Sequence, residues 1–301
     1  MSSRLSFHRD RRRVVARRRG LALVALLLVI AVGVELTGST AGTDRDSRDA
    51  MAPATAGHAR VPDRPRATPP ATRENALEAA AVERVRRRMP FVTGGGGQVR
   101  EVALTFDDGP GPYTPRLITT LRRLGVPATF FAVGQSMGYF HGATERELRD
   151  RFVIGDHTQN HPFMARLAPA AQRDQILLGS ETLGLYGVPP PTLYRPPYRS
   201  FNAATLRILR RLRLLMVLWT VDTQDYRQPG LAAIVREATR VRPGGIVLMH
   251  DGGGARIQTI RALPFIVHKL RRRGFRLVTV PRLMLDDPPT RPQRLPGAGG
   301  G

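Results

Sequence analysis

Cysteine is absent from the 301-residue chain. Disulfides, thiolate metal sites and a cysteine nucleophile are therefore excluded, and histidine and carboxylate are left as the strong metal ligands. Lysine is nearly absent too: Lys269 is the single one among 47 basic residues, set against 24 acidic ones for a formal net charge of +23. An arginine excess of that size follows readily from genomic base composition. Its functional reading is attraction to an anionic surface such as membrane phospholipid or a cell-wall polymer. Nucleic acid would also satisfy the charge, but no recognition motif accompanies it, so no nucleic-acid partner is expected. Nothing in the sequence points to an obligate protein partner. Hydrophobic residues make up 42% of the chain, enough for the core of one large domain or two small ones.

Long apolar runs are scarce as well. The one uncharged run extends from Leu21 to Val34 and is broken by Glu35; Arg4, Arg9, Arg11, Arg12, Arg13, Arg17, Arg18 and Arg19 precede it. Arginines on that side hold the N-terminus in the cytoplasm and send the downstream chain outward. The run is short for a full span and right for a signal-peptide core, and Ser39 and Ala41 supply small residues for cleavage before Gly42. Residues 1–41 are thus expected to be a signal peptide or an N-terminal membrane anchor. Either way the protein is extracytoplasmic, secreted to the cell wall or held in the plasma membrane. Residues 42–97 turn to Pro, Ala, Thr and Arg with almost no large apolar side chains, the composition of a disordered spacer. Within that spacer Glu74 to Met89 has helix-forming composition, and Gly94 to Gly97 reads as a flexible joint. The tail, 288–301, reads as disordered again.

Residues 98–287 alternate between strand and helix patterns. Strands are expected at 102–106, 128–133, 214–221, 246–249 and 276–280, with a short strand end at Leu193 and Tyr194. Helices are expected at 116–124, 145–152, 170–185, 203–213, 232–240 and 257–273. Such alternation argues for an α/β domain of parallel strands with crossover helices. No internal repeat is detected.

Polar residues gather at the expected strand ends, the rim where α/β proteins do their chemistry. The apolar run Val102 to Phe106 ends in Asp107 and Asp108, followed by Gly109 and Pro110. Alone, an Asp-Asp-Gly is as readily a capping turn. A phosphoryl-transfer site would want an aspartate where Gly109 stands. His157 and His161, four apart, can face one way on a helical turn and bind one cation, although a glutamate base beside the first histidine is missing. One Asp oxygen and two His nitrogens leave an open position, the layout of catalytic zinc. In Arg195-Pro196-Pro197-Tyr198 the prolines fix a backbone that can present a rigid arginine and the Tyr198 amide. Trp219 to Tyr226 brings Asp222, Asp225 and the one tryptophan, and Ile246 to Asp251 ends in His250, a natural proton donor or acceptor.

Taken together, these segments resemble the polysaccharide deacetylase family, the NodB-like carbohydrate esterases, across residues 100–285. The five family motifs occur in order as TFDDGP (105–110), HTQNH (157–161), RPPY (195–198), the stretch from Asp222 to Tyr226, and LMHD (248–251). The resemblance implies a distorted (β/α) barrel and a catalytic domain over 98–287. It implies that Asp108, His157 and His161 bind a divalent metal, usually zinc. Asp107 would be the general base toward water, oriented by Arg195, and the Tyr198 backbone amide would share the oxyanion. His250 would protonate the leaving nitrogen with Asp225 setting its charge, and Leu248 would line the acetyl pocket. Trp219 and Tyr226 are candidate substrate contacts. Tyr226 stands where the family commonly has tryptophan, which bears on the fit of acetyl group or sugar. The implied activity is N-deacetylation of an amino-sugar polymer, peptidoglycan or a chitin-like oligosaccharide. O-acetyl esterase action on acetylated xylan and a catalytically inert wall-glycan binder are the alternatives.

Overall fold

The computed structural model describes residues 73–293 and Leu295. The expected N-terminal segment, residues 1–41, and the spacer as far as residue 72 lie outside the described residues. Among the described residues no helix is long and apolar enough to cross a membrane.

In chain order the elements are α1 (Arg73–Arg88), β1 (Phe91–Val92), β2 (Glu101–Asp107), α2 (Thr114–Leu124), β3 (Thr129–Ala132), α3 (Gly134–Tyr139), α4 (His141–Arg149), β4 (Val153–Asp156), α5 (Pro169–Leu185), β5 (Leu193–Tyr194), α6 (Ala203–Leu212), β6 (Leu215–Val217), β7 (Val221–Asp222), α7 (Leu231–Ala238), β8 (Gly245–His250), α8 (Ile257–Arg272), β9 (Arg276–Val278) and α9 (Val280–Asp286). The strands form one parallel sheet in the order β1-β6-β5-β4-β3-β2-β8-β7, with β9 beside the first half of β2. β2 lies at the centre and is buried over its full length, as its unbroken apolar run requires. The segment after β1 bonds to the start of β8, Gly95 N donating to Gly244 O at 2.7 Å, and so draws the two edges together. The result is a curled, distorted α/β barrel.

Side chains alternate across each strand. On β2, Val102, Leu104 and Phe106 point outward into the helix layer with Leu117, Ile118, Leu121, Leu263 and Ile266. Ala103 points inward with Phe131, Leu193, Leu215 and Ile246, and Thr105 and Asp107 share that inward face. Val82 and Val85 of α1 and Leu283 and Met284 of α9 pack on these inward residues, mostly near the strand starts, and plug that mouth of the curled sheet. Each buried valine contributes roughly 1.5–3 kcal/mol.

Several expectations change. The helix expected at 74–89 is present at 73–88, but as part of the core, so the folded unit extends to Arg73 and well beyond the boundary at residue 98. The glycine joint is fixed in place. Asp287 Oδ2 accepts from Gly97 N (2.8 Å) and Gln98 N (3.1 Å), and a Cβ on Gly95 would sit 2.7 Å from Asp287 O. The tail is held at least to Gln293, whose side-chain oxygen accepts from Gly94 N at 3.2 Å. The single strand expected at 214–221 divides into β6 and β7. Leu218 N donates to Val92 O while Thr220 N donates to Ile246 O, so the chain changes partner strand between them. The helix expected at 145–152 runs from 141 to 149, and Arg151, at φ 59°, turns the chain so that Phe152 enters the core. α9 was not anticipated, although Thr279 caps it by accepting from Arg282 N and Pro281 stands in its first turn.

Candidate metal and active site

The chemistry-bearing residues lie at the C-terminal ends of β2, β4, β5 and β8. Strand register places them: Asp107 of β2 is the direct partner of His250 on β8, so the two side chains leave neighbouring strands on one face. Asp108 follows at φ 72°, outside the strand alternation, which lets the second carboxylate turn toward the same space. The turn needs Gly109 because a Cβ there would lie 2.0 Å from Asp251 Oδ2. Asp251 is buried beside Thr114, whose hydroxyl donates to it at 2.5 Å. Burial, then the neighbouring Asp108 and Asp107 charges, push its carboxyl up to about 7 against the Thr114 hydrogen bond.

Arg195 is wholly buried. Nη1 donates to Asp107 Oδ1 at 2.7 Å and to Thr105 Oγ1 at 2.8 Å, Nε to Val217 O at 3.0 Å and Nη2 to Leu218 O at 3.2 Å. Its guanidinium lies 4.0 Å over the Phe131 ring, with Trp219 at 5.7 Å. An ion pair so fully hydrogen-bonded fixes Asp107 in one orientation; losing either partner would leave a buried charge uncompensated.

His157 Nδ1 lies 2.7 Å from Arg195 O, and since a carbonyl only accepts, Nδ1 carries the proton. Nε2 is thereby turned toward the carboxylates, 3.4 Å from Asp108 Oδ1 and 3.8 Å from Asp107 Oδ2. His161 Nε2 lies 2.9 Å from Asp108 Oδ1. Ligand atoms of Asp108, His157 and His161 all fall within 4.8 Å of one another. Two imidazole nitrogens, a carboxylate oxygen and a ring held by its other nitrogen form a donor set that fits a divalent cation. Burial works against the Asp108 anion, yet the His157 and His161 hydrogen bonds outweigh it and hold the carboxyl far below its usual range.

The two histidines do not share the helical turn that their spacing suggests. A loop presents them, with Thr158 at φ 72° and His161 at φ 56°, and His161 N donates to Thr158 Oγ1 at 3.0 Å. Asp156 anchors this loop by accepting from Thr158 N (2.6 Å) and from Ser180 Oγ of α5 (2.5 Å). Burial raises the Asp156 carboxyl to about 7 in spite of those bonds.

On the β8 side, His250 Nδ1 lies 2.7 Å from Asp225 Oδ1. Asp225 Oδ2 accepts from His250 N (3.0 Å) and Thr259 Oγ1 (2.6 Å). Burial disfavours the imidazolium, but the Asp225 hydrogen bond and charge win and raise His250 to about 9. Leu248 points to the same inward face and is buried. Asp222 accepts from Gln224 N and serves the turn before Asp225.

Exposed rings flank the site. The Tyr226 ring stands edge-on 5.3 Å from His250, and Tyr198 is edge-on 4.6 Å from His161. Tyr198 takes φ 57°, a strained value for a non-glycine residue. Phe163 stacks on it at 4.0 Å, and Arg166 covers the other face of Phe163 at 4.4 Å. Trp219 is half-buried, lying beside the Arg195 guanidinium and packing against the core. Sequence reasoning missed Thr105, Asp156, Thr259 and the Phe163–Arg166 stack. Asp156, next to His157, was the one with a visible cue.

The polysaccharide deacetylase family profile matches residues 94–217. The chain is 34% identical to a chitooligosaccharide deacetylase of Bradyrhizobium over 213 residues, 66% of this chain and 95% of that protein. It is 35% identical to a peptidoglycan-N-acetylglucosamine deacetylase of Bacillus cereus over 187 residues, 61% and 87% of the two. This chain belongs to the polysaccharide deacetylase family. The crystal structure of a peptidoglycan N-acetylglucosamine deacetylase superposes with a TM-score of 0.63 at 30% identity, over 66% of this chain and 94% of that one. Within the family's fold, the site described above occupies the strand C-termini.

Proposed function

We propose that this polysaccharide deacetylase is an exported, metal-dependent hydrolase that removes N-acetyl groups from an amino-sugar polymer, with peptidoglycan as its substrate. The observation that carries the reading is the pairing of an Arg195-held Asp107 with the Asp108–His157–His161 ligand set on one side and the Asp225-held His250 on the other. Amide hydrolysis needs water activated, an oxyanion stabilised and a leaving nitrogen protonated, and this site offers a group for each.

Asp108, His157 and His161 would hold the cation, zinc being the expected ion. When bound, such a cation polarises the acyl oxygen and lowers the pKa of water. Asp107, aimed by Arg195, accepts a proton from the attacking water as the new C–O bond forms. The Tyr198 backbone amide donates to the oxyanion. As the C–N bond breaks, His250 gives its proton to the departing amine, and Asp225 holds the imidazolium in place. The products are acetate and a free amino sugar. Leu248 floors the acetyl pocket, and Tyr198 and Tyr226 wall the groove; tyrosine at 226 keeps an aromatic wall while adding a hydroxyl that can bond to a sugar. The basic-then-apolar start of the chain supports export, either anchored in the plasma membrane or secreted to the wall.

The similarity to the Bradyrhizobium chitooligosaccharide deacetylase over nearly all of that protein favours chitin-like oligomers as the second reading. Acetate release from purified wall, N-acetylchitooligosaccharide and acetylxylan compares the readings directly. Release from peptidoglycan above the other two is expected. Release from chitin oligomers alone moves the substrate to the second reading, and release from acetylxylan alone overturns N-deacetylation.

A further inference from the structure

The rim opposite the site carries a second feature, a concentration of basic side chains. In a parallel sheet with crossover helices, each helix ends where the next strand begins, so helix C-termini collect at the strand N-terminal rim. The last turns of α1, α2, α4, α6, α7 and α8 all carry arginine or lysine. The catalytic rim carries Asp107, Asp108, Asp222, Asp225 and Asp251. The two rims therefore differ in kind: carboxylates and histidines converge on one, and the basic ends of helices gather on the other.

The basic end is densest where α1 and α6 meet. Arg86 Nη1 donates to Arg210 O at 3.5 Å, and Arg213 Nη2 reaches Glu83 Oε1 at 3.3 Å. Around that junction Arg84, Arg87, Arg88, Arg210, Arg211 and Arg213 are exposed. Glu83, bonded by Arg86 and Arg87 as well, is the acid that faces them. Dipole complementarity accounts for one or two basic residues at a helix end. It does not account for six exposed on two adjoining ends with a single acid among them.

We propose that this face, centred on the C-terminal ends of α1 and α6, docks on an anionic phospholipid membrane. The occupant is argued from where the chain enters the fold. The described chain begins on α1, the plug helix of this same face, and the residues before it in sequence include the eight arginines and the apolar run of 21–34. Guanidinium groups bind phosphate oxygens bidentately, and a basic patch is drawn to an anionic leaflet. Docked this way, the catalytic rim faces away from the bilayer. The inference is independent of the deacetylase reading.

The test is co-sedimentation of the full chain with phosphatidylcholine vesicles, with and without phosphatidylglycerol, at low and high salt. Phosphatidylcholine alone accounts for the apolar run. R84E/R88E/R211E is expected to lower the phosphatidylglycerol-dependent binding on the order of 100-fold at low salt, at roughly fivefold or more per basic side chain lost. R116E/R173E/R261E, an equal charge change at the helix beginnings, should leave it within a few-fold. An unchanged thermal midpoint shows that each variant folds. Equal loss in both variants would reduce the effect to net charge and overturn the proposal, as would wild-type binding by the first variant. Tighter binding to soluble poly(glycerol phosphate) than to vesicles at matched phosphate would make the partner a wall polymer and overturn it too.

Discussion

Asp225 and Arg195 perform matching tasks on opposite sides of the site: each fixes the aim of a proton-transfer group, and Asp225 also fixes the charge of its partner. Burial alone would drive His250 toward the neutral imidazole, and Asp225 reverses that, to about 9. His250 must carry its proton to donate it, so activity should hold on the alkaline side until the pH approaches 9. Because the folded pKa is raised above the ordinary 6.5, the same pairing stabilises the fold fully below pH 6.5, and that contribution is lost as pH rises through about 9. In Asp225→Asn only the weaker pull of the Asp108 and Asp107 charges still opposes the desolvation. The alkaline limb of the kcat/KM profile is expected to move down by at least about two pH units. A limb that stays in place would mean that another group supplies the proton. The principal groups of the site were legible because each stands at the end of an apolar run within a short contiguous motif. The groups that hold them were not. Thr105, Thr259 and Ser180 are common residues in ordinary strands and helices, and only the fold brings them to Arg195, Asp225 and Asp156.

At the scale of elements, α1 matters more than composition suggests. Its arginine-rich sequence reads as part of a spacer, yet Val82 and Val85 close the mouth of the curled sheet. A chain shortened to begin at Gly97 would uncover Ala103, Leu215 and Ile246, and would also lose β1, with its bonds to β6. Its unfolding midpoint in urea is expected to fall by an amount equivalent to about 3–6 kcal/mol relative to a chain beginning at residue 72, from two buried valines and the surface that they cover. Equal midpoints would show the plug to be dispensable. The alternation of strands and helices was readable from periodicity, and the long helices end within two or three residues of their expected limits. Errors fell where periodicity carries no information. The break of β6 from β7 comes from a change of partner strand, and the end of α4 from a left-handed arginine in place of a glycine. The glycine run at 94–97 reads as a flexible joint, but it is small because the Gly244 and Asp287 backbone crowds it.

At the scale of the whole molecule, one parallel architecture accounts for two faces. It gathers strand C-termini, where carboxylates and histidines converge, and on the opposite rim it gathers helix C-termini, where arginine is favoured. An exported enzyme with this arrangement would present its site to the wall and its basic end to the membrane. The central claim remains that Asp107 acts as base beside a cation held by Asp108, His157 and His161. The measurement that tests it most directly is acetate release from N-acetylated peptidoglycan by the wild-type chain and by Asp107→Asn, with divalent metal content determined on the same samples. About one cation per chain in both proteins is predicted, with release lost in chelator and reduced about 10²- to 10⁴-fold in the variant. A variant that releases acetate at the wild-type rate, or a wild-type chain that binds no cation, would contradict it.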